Sequence, residues 1–343
     1  MKLHDKRLYK VKSMIVSQLS LKKADFRSGN EKEAVILGHC VLNMNTRAPG
    51  IAAWNGAIFP LFRALRSYSG EVHQYPCPEA AVVGGRRWWH VKEQYDTFTF
   101  REILKKLAEI YTNYFMKSDI KEVKLLGLGL SPTCGFRYTQ SDPTWGGRPK
   151  EIDPSKIIKK DSGVLIEEFV RVFEEYGLNF SVLDISPSLI YPDYERRMKV
   201  AKEYPPTPSE ALKELEKFLG IKIPFKPEEV AHIENLKDDL RSKKMVAISS
   251  NKFVPYYDKL LEYAVKGVGI VLVDEVYNNE KEKEFLSDIY ASMIGNMTIA
   301  GHNVEFLIDS DDLEGVLGKT IERLEALMRE GDLSVIKLSS IKR

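Results

Sequence analysis

Cysteine is scarce in this chain: Cys40, Cys77 and Cys134 are all it has in 343 residues. The number is odd, there is no close pair, and nothing at the N-terminus joins a basic start to an apolar signal core. A disulfide framework is therefore not expected, and the thiols read as reduced, as ligands or as packing. No stretch approaches the roughly 18 uninterrupted apolar residues of a membrane span, so a soluble cytoplasmic protein without a membrane partner is expected. Excess charge of one sign is lacking too, because 51 basic and 49 acidic residues leave a net +2. No global field draws the protein onto a polyanion, and Arg86-Arg87, Lys159-Lys160 and Arg241 to Lys244 are short, scattered basic clusters. A nucleic-acid partner is not implied, although a local site for one phosphate is compatible with them. Gln is sparse beside abundant Lys and Glu, a balance that fits a heat-adapted source.

What is present is the balance of an ordinary globular protein, 43% hydrophobic and 29% charged. At a prior of about 150 residues per domain, the length suggests two domains. Residues 1–33 are polar and basic apart from Met14 to Leu21 and read as an N-terminal arm. Ala34 to Leu37 is a short apolar run ending at Gly38-His39-Cys40, and Leu125 to Leu130 repeats the pattern before Ser131, as buried strands running into functional loops. Between them, Ile58 to Tyr68 and Phe100 to Phe115 carry apolar residues at helical spacing. Val164 to Tyr176 predicts a helix stopped by Gly177, and Phe180 to Ile185 a strand. The expected first domain, 34–190, is α/β: an open, mostly parallel, Rossmann-like sheet with helices on both faces. Residues 191–227, rich in proline and charge with a helix at Ser209 to Leu219, read as a linker. In residues 228–343, strands at Met245 to Ser249, Gly269 to Val273 and Val304 to Ile308 alternate with helices at Tyr256 to Val265, Glu282 to Met293 and Asp312 to Arg329. They predict a second α/β unit that faces the first across a cleft.

Three local sequences carry the chemistry: Gly-His-Cys-Val-Leu-Asn at 38–43, Pro-Cys-Pro-Glu at 76–79 followed by Gly84-Gly85, and Ser-Pro-Thr-Cys-Gly at 131–135. Each puts a cysteine in a turn-prone segment at or after a strand end, where an open α/β sheet presents its ligands. Pro78, Pro132 and Gly135 stiffen or bend the backbone beside the sulfurs. On spacing alone, packing is the commoner fate of scattered cysteines. Zinc with His39, His73 or His90 as a further ligand is an alternative, but compact structural zinc sites show a close Cys-x-x-Cys pair, which is absent here.

The three motifs, in this order, resemble the thiouracil desulfurases: a cysteine near the first strand, Cys-Pro-Glu followed by Gly-Gly, and a Ser-Pro-Ser-Cys-Gly loop. With Ser162-Gly163-Val164 to Gly177-Leu178, the resemblance spans about residues 34–186 and uses every cysteine. The chain departs from the pattern in Gly-His-Cys for Ala-Cys and in Thr133 for the second serine. The resemblance implies a 4Fe-4S cluster held by Cys40, Cys77 and Cys134, with one iron lacking a protein ligand. It further implies hydrolytic desulfuration of a thiolated small molecule, in which the thiocarbonyl sulfur meets the free iron, water adds to carbon and sulfide leaves. Within that picture Glu79 is the candidate acid or base, or else a carboxylate that accepts loop amides, and Ser131 a donor to sulfur or a turn cap. His39, Asn43 and Asn45 are further candidate contacts. Gly84-Gly85 offers close backbone approach, Arg86-Arg87 an anion site and Trp88-Trp89 a stacking surface. Dehydration, sulfur transfer and non-catalytic cluster binding are the alternatives. Val254 to Glu275 also faintly resembles 2-hydroxyacyl-CoA dehydratase subunits.

Overall fold

The computed structural model describes residues 32–48, 50–87, 91–146, 153–226, 243–308, 310–328 and 336–340. Two parallel four-stranded sheets organise it. The first has the order β2-β1-β3-β6, with β1 at Glu33–Leu37, β2 at Glu71–Gln74, β3 at Glu122–Leu128 and β6 at Phe180–Ile185. The second has the order β10-β9-β7-β8, with β7 at Lys244–Ser249, β8 at Gly269–Val273, β9 at Asn303–Ile308 and β10 at Ile336–Ser340. A two-stranded antiparallel pair, β4 at Thr139–Gln140 and β5 at Ile158–Lys159, flanks the first sheet. Helices cover the sheets, so the fold is α/β with two α/β units, as the alternation of apolar runs predicts.

Past their first residues β1 and β7 are almost wholly apolar because both of their faces are buried, as parallel sheets require, whereas the neighbouring β3 and β9 each carry one half-buried charge in third position, Lys124 and Glu305. In β1, Ala34 and Ile36 enter one core with the helices Phe98–Lys117, Val164–Glu175 and Glu280–Ile299, while Val35 and Leu37 enter a second. β7 divides the same way, Met245 and Ala247 from Val246 and Ile248. Both cores therefore run through both units. Among the described residues no helix is long and apolar enough to cross a membrane.

The sheets meet at their edge strands β2 and β8, where side chains replace the missing backbone ladder. The Gln74 amide donates to the Ile270 carbonyl at 3.1 Å and accepts from Leu272 N at 2.7 Å. The Tyr290 hydroxyl donates toward the carbonyls of Gln74 at 3.0 Å and Leu272 at 3.1 Å. Two edges that would otherwise carry unpaired buried backbone groups are closed against each other.

The segment expected as a linker, residues 191–227, is packed in its described part. Thr207 and Glu210 form a capping box at the start of the helix Pro208–Leu219, Gly220 ends it at φ 71°, and Ala211, Leu212, Leu215 and Leu219 are buried. The Tyr204 hydroxyl donates to Asp184, at the end of β6, at 2.6 Å. Its prolines start and bend structure: Pro208 occupies the first turn, and the Pro205 carbonyl accepts from Ser186 and Ser188. The arm lies outside the described residues except for its last two positions, of which Glu33 opens β1.

Candidate functional site

The chain leaves β1 for β2 on one side and then returns to the other side of β1 for β3. That reversal opens a crevice at the carboxyl ends of the strands. All three cysteines stand there. Cys40 follows β1 on the four-residue helix His39–Leu42. Gly38 makes the bend possible, since a Cβ there would lie 2.7 Å from the Leu128 side chain and 3.2 Å from the Leu126 carbonyl. Cys77 follows β2 and caps the helix Pro78–Val82, its sulfur accepting from Ala80 N at 3.5 Å.

Cys134 lies in the loop after β3. Its carbonyl accepts from Leu128 N at 3.0 Å, and a Cβ on Gly127 would lie 2.0 Å from that oxygen, so only glycine admits the fold-back. Leu130 enters the loop at φ 65°, an unusual backbone for a bulky residue. The Ser131 hydroxyl oxygen accepts from Thr133 N at 3.3 Å and Cys134 N at 3.0 Å. The first amides around the helix Val164–Glu175 hold the loop from behind, donating to the carbonyls of Pro132, Thr133 and Gly135.

One cavity of about 60 Å³ is lined by Cys40, Cys77 and Cys134 together with His39, Glu79, Arg87 and Ser131. Arg47, Tyr75, Gln140 and Tyr191 complete its polar wall. Glu79 is a junction in that wall. It accepts from Arg87 Nε at 2.8 Å, from the Tyr95 hydroxyl at 3.2 Å and from the Thr133 hydroxyl. Arg87 also donates to the Thr46 carbonyl at 3.0 Å and the Gly84 carbonyl at 3.3 Å. The Thr46 hydroxyl lies 3.5 Å from the Cys40 sulfur, and that of Thr133 3.3 Å from the Cys134 sulfur. The three cysteine segments are thus joined through one buried ion pair.

Electrostatics separate the thiols. A hydrogen bond with Cys77, helped by the cations Arg47 and Arg87, holds Cys40 down to about 7 despite its burial. The same bond and burial push Cys77 well above the ordinary thiol range. Burial and the Glu79 charge push Cys134 up to about 12. Burial lowers His39 to about 3, so its ring is neutral at physiological pH.

Among the described residues no three His, Cys, Asp or Glu side chains stand close enough to close on a single metal ion, which would need donors at about 2.3 Å for sulfur. A cluster distributes its thiolates over separate irons, and thiolates are its normal donors. Three thiols from three adjacent strand ends, with two guanidinium groups to offset thiolate charge, suit that donor set.

Several sequence candidates lie elsewhere. Asn43 and Asn45 pin the two units together: Asn43 donates to the Met245 sulfur at 3.1 Å, and Asn45 to the carbonyls of Lys244 at 2.9 Å and Gly267 at 3.2 Å. Gly85 admits close approach to the helix Glu280–Ile299 rather than to the cysteines, since a Cβ there would sit 2.8 Å from Ala300 Cβ and 2.9 Å from the Met297 sulfur. Arg86 is exposed, whereas Arg87 is buried in the cavity wall. His73 lines a different cavity, beside Glu71. Trp88, Trp89 and His90 fall outside the described residues. Sequence reasoning missed Arg47, Tyr75, Gln140 and Tyr191. Only Tyr75, two residues before Cys77 on the strand exit, carried a positional signal.

No family model matches the chain, and no solved structure matches it. It is similar to an uncharacterized protein of Methanocaldococcus jannaschii, 29% identical over 174 residues, half of this chain and 96% of the relative.

Proposed function

We propose that this protein is an iron-sulfur-dependent desulfurase, a cytoplasmic enzyme that removes sulfur hydrolytically from a thiolated small molecule such as a thiouracil-like thiocarbonyl. The observation that carries the reading is the meeting of all three cysteines of the chain on one cavity at the carboxyl ends of three neighbouring strands. Cys40, Cys77 and Cys134 would hold a 4Fe-4S cluster, which when bound supplies an iron without a protein ligand, a soft Lewis acid toward sulfur. Arg47 and Arg87 offset the charge of the thiolates. Tyr75, buried and kept protonated by burial and by the nearby thiols, offers a hydroxyl proton to sulfur at the cavity wall. Glu79, held by Arg87, Tyr95 and Thr133, would exchange a proton at its carboxylate, and Ser131 shapes the Cys134 loop. Neutral His39 adds no positive charge.

Anoxic purification with iron and labile-sulfide counts, followed by sulfide release from 2-thiouracil, tests this reading. Near four irons and four sulfides per chain with sulfide release is the expected result. Iron-free protein after anoxic reconstitution would overturn it.

A further inference from the structure

The second sheet repeats the strand order of the first. β1 and β7 each take their next strand on one side, β2 or β8, and the later strands on the other. A crevice at the carboxyl end of β7 therefore corresponds to the one that holds the cysteines. The residues after β7, Ser250 and Asn251, do line a separate cavity of about 560 Å³, closed from the first unit by Tyr68, Glu71, His73 and Tyr114. Its volume falls within the roughly 300–1,000 Å³ usual for small-molecule sites. It shares no residue with the cysteine cavity.

We propose that this second cavity binds an uncharged, flat nitrogen heterocycle of nucleoside size. The charges in its wall are matched internally. His73 lies between Glu71, Nε2 to Oε2 at 3.2 Å, and Asp274, Nδ1 to Oδ1 at 3.4 Å, and on the rim Arg66 meets Asp258 at 2.9 Å. A phosphate finds no glycine-rich cradle in the Ser-Asn-Lys-Phe-Val-Pro segment at 250–255. A neutral ligand leaves both ion pairs undisturbed. Aromatic rings of Tyr68, Tyr114, Phe253 and Tyr257 line the space and suit a flat ligand, while Ser250 and Asn251 supply donors and acceptors for its edge. This site is independent of the cysteine chemistry.

Titration calorimetry of the full chain with adenosine, guanosine, cytidine and uridine tests the proposal. Saturable binding of at least one is expected, weakened tenfold or more by Asn251→Ala, an exposed position whose change spares the core, and unaffected by Cys40→Ala. Tyr114→Phe, which keeps the ring, is expected to weaken binding less than Asn251→Ala. The proposal is overturned if none of the four binds, or if Asn251→Ala leaves the binding unchanged.

Discussion

Arg87 Nε donates to Glu79 Oε2 at 2.8 Å, and both side chains are largely withdrawn from solvent, 4% and 13% exposed. Glu79 belongs to the helix that Cys77 caps and accepts from Thr133 beside Cys134, while Arg87 reaches the carbonyl of Thr46 beside Cys40. Loss of Arg87 leaves a buried carboxylate without its cation. Arg87→Leu is therefore expected to destabilise the fold by about 3–5 kcal/mol, the range for breaking a buried pair from one side. Denaturant midpoints check this, and a variant as stable as the parent would show that the pair contributes little.

Each cysteine has its own segment and its own backbone supports, so no neighbouring thiol can replace a lost one. Cys40→Ala, Cys77→Ala and Cys134→Ala are each expected to lower iron content and abolish sulfide release. Cys134→Ala should leave the loop in place, because that loop is held by the Cys134 carbonyl and Ser131 rather than by the sulfur. Circular dichroism and iron counts on the same samples separate the two effects. Full iron and full turnover in any single variant would remove that cysteine from the ligand set.

How far the site was legible follows from what each residue does. Strand ends carrying Gly38, Pro78 and Gly135 beside cysteine announce bends, and the structure places all three sulfurs on one cavity. β2 was not legible: Glu-Val-His-Gln has a single apolar residue, because His73 and Gln74 spend their polarity on Asp274 and on the backbone of β8. The same long-range logic hid Asn43 and Asn45, whose partners lie about 200 residues away in sequence. Prolines at 205–208 signalled a break in structure, and only the burial of the following helix reveals that the segment packs.

His73 ties stability to pH at the junction of the units. Burial opposes its charge, but Asp274 and Glu71 outweigh it and raise the imidazole from 6.5 to about 9. The other groups facing this pair are the hydroxyls of Tyr111, on Asp274, and Tyr114, on Glu71, both held protonated well above neutral pH. A raised folded-state pKa contributes stability that is fully present below about 6.5 and is lost as pH rises through about 9. Urea unfolding at pH 6 and pH 10 should show that decline, with a shallower one in His73→Gln. Equal slopes in variant and parent would assign the decline to other groups.

Glu79→Gln separates the two roles open to this carboxylate. The side chain keeps its size, and its amide oxygen still accepts from Arg87 and Tyr95, while the amide nitrogen faces the Thr133 hydroxyl, which can accept in place of donating. The clasp over the three cysteine segments is therefore largely preserved, and iron content should stay near that of the parent. What the amide cannot do is exchange a proton near neutral pH. If Glu79 manages a proton in desulfuration, turnover should fall on the order of a hundredfold, the usual contribution of a positioned acid or base, with little change in KM. Normal turnover at full iron would refute the proton role. Loss of iron together with turnover would mean that the negative charge is needed to hold Arg87 against Thr46 and Gly84, a structural duty that the uncharged amide cannot meet.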